Sequence, residues 1–128
     1  MAHDTDIPAS ELSQLFEEIA SRFKALGNPL RLKILNSLKE GERSVNDILD
    51  AVGGSQANIS KHLNVLRQAQ LVGFRRDGVT VYYRIADEAI LSICRSVCDS
   101  LLIQANAEVD RIARARAALL GESLEKGA

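Results

Sequence analysis

Apolar residues recur through residues 12–26 at three- and four-residue steps: Leu12, Leu15, Phe16, Ile19, Phe23 and Leu26. That spacing predicts a helix with one apolar stripe. Gly27 predicts its end, as a residue that tolerates the left-handed cap. Asn28-Pro29 opens a second helix. Asn28 caps free N–H groups, and Pro29 sits where its missing N–H costs nothing. Leu32, Leu35 and Leu38 are the expected core residues of that helix, and Gly41 stops it. Ser44, with Asp47 three residues on, resembles a capping box for a short third helix with Val45, Ile48 and Leu49 on one face. Gly53-Gly54 then breaks the chain, and Ser55 is a good cap for a fourth helix to about Gln70. In it Ile59, Leu63 and Leu66 face inward.

Two β-prone runs follow, Leu71-Val72-Gly73-Phe74-Arg75-Arg76 and Val79-Thr80-Val81-Tyr82-Tyr83-Arg84, separated by Asp77-Gly78. Asp-Gly between such runs is the strongest short hairpin signal. A last helix starts near Asp87, with a stripe of Leu91, Cys94, Cys98, Leu101, Ala105, Val109 and Ile112 that runs past what a small core covers. The expected fold is mainly α with a small β-hairpin, in the order α-α-α-α-β-β-α. Three helices and a hairpin match the winged helix-turn-helix arrangement, with helices three and four forming the helix-turn-helix. One domain is expected over residues 10–120, between a flexible N-terminus (1–9) and a flexible tail (121–128).

Composition narrows the class. Hydrophobic residues at 46% of 128 supply enough core to exclude disorder over the whole length. No run of 18 apolar residues exists to make a membrane span. The polar, acidic start Met1-Ala2-His3-Asp4-Thr5-Asp6 does not suit a secretory or transit signal, so the expected location is cytoplasmic. Two cysteines do not make a disulfide scaffold. Absence of Trp, with aromatics at 4%, argues against a broad base-stacking surface. The net charge of −1 hides an asymmetry: residues 1–28 carry −3, residues 29–84 carry +4 and residues 85–128 carry −2. A cationic middle between anionic flanks suits a polyanion partner, though a surplus of this size is also common on solvated faces.

The densest constellation is Ser55-Gln56-Ala57-Asn58-Ile59-Ser60-Lys61-His62-Leu63-Asn64-Val65-Leu66. A recognition helix needs apolar residues on one side and short polar or amide side chains on the other, to reach base edges. Ser55, Gln56, Asn58, Ser60, Lys61, His62 and Asn64 provide the polar side; the plain alternative is an ordinary amphipathic surface helix. Arg75, Arg76 and Arg84 surround the hairpin turn as candidate contacts to phosphates or the minor groove, Arg76 foremost because it is nearest the turn. They serve equally to guard edge strands against mispairing. The hairpin and the charge division together favour double-stranded DNA as the partner.

Three segments resemble the ArsR/SmtB family of bacterial metal- and thiol-sensing repressors. They are Phe23-Lys24-Ala25-Leu26-Gly27-Asn28-Pro29-Leu30-Arg31-Leu32-Lys33-Ile34-Leu35, Gln56 to Leu66, and Val81-Tyr82-Tyr83-Arg84, in the family's order and spacing. The likeness covers roughly residues 12–103. It implies a homodimer through the first and last helices, bound to an inverted-repeat operator and released by a signal, such as a small inorganic inducer. The family's sensing residues are only partly matched. Ser44 to Asp50 holds no cysteine for the thiolate motif of helix three, and no histidine follows His62 to supply a zinc-type site on the last helix. His3 lies in the N-terminal stretch and carries no expected role, while His62 suits a structural or DNA-backbone role.

Cys94 and Cys98 remain. At i, i+4 on one helix face their Cβ atoms are about 5–6 Å apart, suited to sharing a soft metal or metalloid ion rather than to a disulfide within an intact helix. A two-fold dimer could bring four thiols together. The pair could equally be oxidised or persulfidated, or simply pack as small apolar side chains. Arg95 next to Cys94 points another way on the helix and is a weak candidate for activating a thiol. No cofactor is required by anything in the chain. No phosphate loop, carboxylate pair or Ser-His-Asp pattern occurs, and the cysteine spacing is not Cys-X-X-Cys, so no enzyme is expected. The expected function is a DNA-binding repressor released by a thiol-directed signal at Cys94/Cys98; the alternative is a winged-helix dimer without sensing, acting constitutively or as a protein adaptor.

Overall fold

The computed structural model describes residues 6–122. Five helices and three short strands follow one another as α1 (Ala9–Leu26), α2 (Pro29–Ser37), β1 (Arg43–Ser44), α3 (Val45–Val52), α4 (Gln56–Gln68), β2 (Val72–Asp77), β3 (Thr80–Ile85) and α5 (Ala89–Leu120). The chain divides between Glu88 and Ala89 into two units. His3 lies outside the described residues.

Caps set the helix starts. The Asn28 side chain accepts from the Leu30 and Arg31 N–H groups at 2.9 and 3.1 Å, with Pro29 in the first turn of α2. Ser44 and Ser55 accept from the Asp47 and Asn58 N–H groups at 3.1 and 3.2 Å, capping α3 and α4. Each side chain satisfies donors that a helix start leaves unpaired. Gly27 ends α1 with φ −80°, not in the left-handed cap expected of it. There a Cβ would stand 3.4 Å from the Phe23 carbonyl oxygen. Among the described residues other than glycine, the left-handed one is Gln70, at φ 62° just past α4. Its N–H donates to the Arg67 carbonyl and that of Leu71 to the Leu66 carbonyl, both at 2.9 Å. These two bonds close a Schellman turn of the kind glycine usually occupies.

In the first unit α2, α3 and α4 pack mutually, and α1 packs on α2 and α4. The core is Ala25, Leu26, Ile34, Leu35, Leu38, Ile48, Ile59, Leu63, Leu66, Leu71 and Val72. Leu32 departs from expectation: it is 40% exposed, while Ile34 is fully buried. Two steps along a helix is a turn of roughly 200°, so Leu32 and Ile34 point to opposite sides of α2.

The hairpin carries a third strand. The order is β1-β3-β2, all antiparallel, with Arg43 opposite Tyr83. Asp77 pairs with Thr80, so the two-residue loop is Gly78-Val79, one position later than the Asp-Gly signal suggests. Gly78 takes φ 62° while Val79 does not, as a type II′ turn requires of its first residue.

Most of the apolar stripe of α1 (Leu12, Leu15, Phe16, Ile19 and Phe23) is exposed on the single chain. The second unit is α5, 32 residues long, or about 48 Å at 1.5 Å per residue. Its Leu101, Val109 and Ile112 are also exposed. No helix among the described residues is long and apolar enough to cross a membrane.

Two substitutions test this account in chemical denaturation at fixed protein concentration. Leu63→Ala, at a fully buried site, is expected to cost about 2–5 kcal/mol. Asn28→Ala removes a cap and is expected to cost about 0.5–2 kcal/mol. Equal, negligible effects would refute the assigned core and cap.

Candidate nucleic-acid interface

The turn from α3 to α4 needs two residues in the left-handed region, and Gly53 and Gly54 supply them at φ 84° and 93°. Ser55 then caps α4. Burial of Ile59, Leu63 and Leu66 holds one side of α4 in the core. On the remaining faces Gln56, Asn58, Ser60, Lys61 and Asn64 are all exposed. The helix thus offers amides, hydroxyls and one cation to solvent, with Ser55 at its N-terminus.

His62 stands apart from this row. It is half-buried, and its Nδ1 lies 3.3 Å from Arg31 Nη1. A guanidinium only donates, so Nδ1 accepts and the neutral ring carries its proton on Nε2. Burial, with the Arg31 and Lys61 cations nearby, holds the imidazole below its ordinary value of 6.5. The same Arg31 donates from Nε to the Ala25 carbonyl at 2.6 Å and from Nη2 to the Lys24 carbonyl at 3.2 Å. It ties the end of α1 to α4. Sequence reasoning quoted Arg31 inside a motif but gave it no role.

Strand pairing sorts the wing arginines. Arg76 is exposed near the tip, opposite Val81. Arg84 is exposed and opposite Gly73, where an added Cβ would stand 2.9 Å from its guanidinium carbon. The glycine leaves the room that Arg84 fills. Arg75 is engaged: its Nε donates to both Glu42 carboxylate oxygens at 3.1 and 2.9 Å, and its guanidinium lies 4.5 Å from the centre of the Tyr82 ring. Hydrogen bonding from Arg75, aided by the Arg75 and Arg84 charges, holds the Glu42 carboxyl below its ordinary range. Glu42 is a second residue that sequence reasoning missed, because its partner lies 33 positions away. Its place just after the Gly41 stop is the only local signal.

Cys94 and Cys98 are both free and exposed on α5. Among the described residues no group of three or more His, Cys, Asp or Glu side chains is placed to hold a metal ion.

A helical trio, a two-glycine turn into an exposed polar helix and a basic antiparallel wing together define a winged helix-turn-helix protein. The model of the arsR family of bacterial regulatory proteins matches residues 28–73. The nodulation protein NolR of Rhizobium meliloti is 43% identical over 83 residues, which are 64% of this chain and 68% of that protein. The transcriptional repressor SmtB homolog of Synechocystis is 36% identical over 85 residues, 66% of this chain and 64% of that one. Among solved structures, the homodimeric winged helix-turn-helix DNA-binding domain of Mb0332 from Mycobacterium bovis superposes with a TM-score of 0.66 at 36% identity, covering 80% of this chain and 94% of that one. The chain belongs to the ArsR/SmtB family of transcriptional regulators.

The His62 environment has a consequence for stability. Its folded-state value lies below the unfolded one, so the unfolded chain binds the proton more tightly. The stability it contributes is complete above pH 6.5 and is lost as pH falls through the folded value. The melting temperature without DNA is therefore expected to drop on acidification from about pH 7.5 to 5.5, across the ordinary histidine range, and to drop less for His62→Gln, which keeps an acceptor without the titration. Parallel curves for the two proteins would refute this.

Proposed function

We propose that this chain is a homodimeric repressor that binds double-stranded DNA at an inverted-repeat operator. The observation that carries the reading is the exposed row Gln56, Asn58, Ser60, Lys61 and Asn64 on a helix whose other side is locked in the core. Amides suit adenine edges, Lys61 suits guanine or phosphate, and the hydroxyls of Ser55 and Ser60 suit either bases or backbone. His62 supports α4 through Arg31 and stands at the margin of the contact. Arg76 and Arg84 supply phosphate or minor-groove contacts from the wing, and Arg75 joins them when its ion pair opens. The unpartnered apolar stripe of α1 and that of α5 suit a second copy of the chain, which would set two α4 helices against half-sites about 34 Å apart.

Release of the operator is assigned to Cys94 and Cys98. What supports this is their exposure and their i, i+4 spacing. Free thiols on one helix face take a soft metal or metalloid, or a reactive oxygen or sulfur species. In a dimer that uses α5, a change there alters the angle between protomers and the distance between recognition helices.

The experiment is a fluorescence-anisotropy titration of reduced protein with its own promoter and with a scrambled duplex at two salt concentrations, followed by arsenite, zinc or an oxidant. Tight binding to the promoter alone supports the repressor; equal weak binding to both favours a protein adaptor. Gln56→Ala and Ser60→Ala are each expected to weaken promoter binding by about 1–3 kcal/mol, with little change on the scrambled duplex. Arg76→Ala is expected to weaken both and to reduce the salt slope by about one. Cys94→Ser/Cys98→Ser protein should stay bound when the inducer is added; a full response would refute the thiol step.

A further inference from the structure

Side chains alternate across a strand, so the register places Arg75, Tyr82, Arg84 and Gly73 on one face of the sheet. Arg43 opposite Tyr83 puts Glu42, one residue earlier, on that same face beside Arg84. The face thus holds two wing cations and two anions, Glu42 and, at the turn, Asp77. Glu42 is the one aimed at an arginine: both its oxygens accept from Arg75, whose guanidinium is stacked over Tyr82. A forked pair whose cation is also stacked on a ring is held more firmly than an ordinary surface ion pair. An arginine in this state is not a free phosphate ligand. For a phosphate to take it, the carboxylate must be displaced, and the carboxylate itself repels the DNA backbone.

We propose that Glu42 is an affinity-setting residue of the wing, an internal counter-anion that keeps Arg75 off the phosphates of bound DNA. The inference rests on the DNA-binding function proposed above. Binding to random duplex is almost wholly electrostatic, whereas binding to the operator also draws on base contacts. Both share the phosphate contacts, so neutralising one wing cation lowers affinity for each by a similar factor. Glu42 thus limits how tightly, and how salt-dependently, the wing holds any duplex.

The test compares the native chain with Glu42→Gln, which keeps the shape and loses the charge, on promoter and scrambled duplexes from about 50 to 200 mM salt. Each extra phosphate contact steepens the dependence of log K on log salt by about 0.9. Glu42→Gln is expected to bind the scrambled duplex roughly tenfold more tightly at 50 mM salt, with a slope steeper by about one. Promoter affinity should rise by a similar factor. Arg75→Gln gives the second arm: in the native background it leaves the Glu42 carboxylate uncompensated and should weaken scrambled-duplex binding, and in the Glu42→Gln background it should reverse the gain. Unchanged slope and affinity in Glu42→Gln, or weaker binding to both duplexes, would overturn the inference while leaving the DNA-binding reading standing. A native protein that binds neither duplex would overturn both.

Discussion

Arg31 puts a permanent charge where three helices meet. Its own N–H is held by the Asn28 cap at the start of α2. Its side chain reaches back to two carbonyls at the end of α1 and across to His62 in α4. The carbonyls at a helix C-terminus lack partners within the helix and form the negative end of its dipole, so a guanidinium there answers both needs. Hydrogen bonds from a charged donor contribute about 1.5–3 kcal/mol, more than neutral ones. The apolar core formed by Ile59, Leu63 and Leu66 gives α4 its depth. Arg31 ties it to α1, the helix whose apolar stripe is exposed. Base reading demands placement within hydrogen-bond reach, so the polar face of α4 is only as useful as this anchorage is firm.

Much of the fold was legible because it is written in local chemistry. Asn28, Ser44 and Ser55 each bond to an N–H within three residues, and nearby partners leave a pattern in the sequence. The misreadings have physical causes as well. In α2 apolar residues occur on more than one side, since Leu30, Leu32, Ile34, Leu35 and Leu38 do not form one stripe, and the packing of α1, α3 and α4 decides which are buried. The hairpin loop sits one residue beyond Asp-Gly because Asp77 still pairs with Thr80. Strand β1 spans two residues, too short to show a period, and exists only because β3 offers it an edge.

The candidate interface divides along the same line. The exposed polar row of α4 follows from a single helical period, so it is legible in the sequence alone. Arg31 and Glu42 are not: His62 and Arg75, which they meet across the fold, lie 31 and 33 positions away, and the Gly41 stop before Glu42 is the one nearby cue. Sequence sets apart only Arg76, by its nearness to the turn. Pairing separates the other two wing arginines, with Arg75 bound to a carboxylate and Arg84 laid across a glycine.

That difference follows from parity. A two-residue loop with Gly78 at its head leaves no slack between β2 and β3, so odd and even positions are committed to opposite faces of the sheet. Inserting a single residue in β2 between Gly73 and the loop would send the side chain now stacked on Tyr82 to the opposite face and bring its neighbour round in exchange. Substitutions, or insertions in pairs, leave the two faces intact. In lineages that descend from such a sheet, wing length should therefore drift in steps of two, and charge should change by replacement at fixed positions rather than by sliding along the strand.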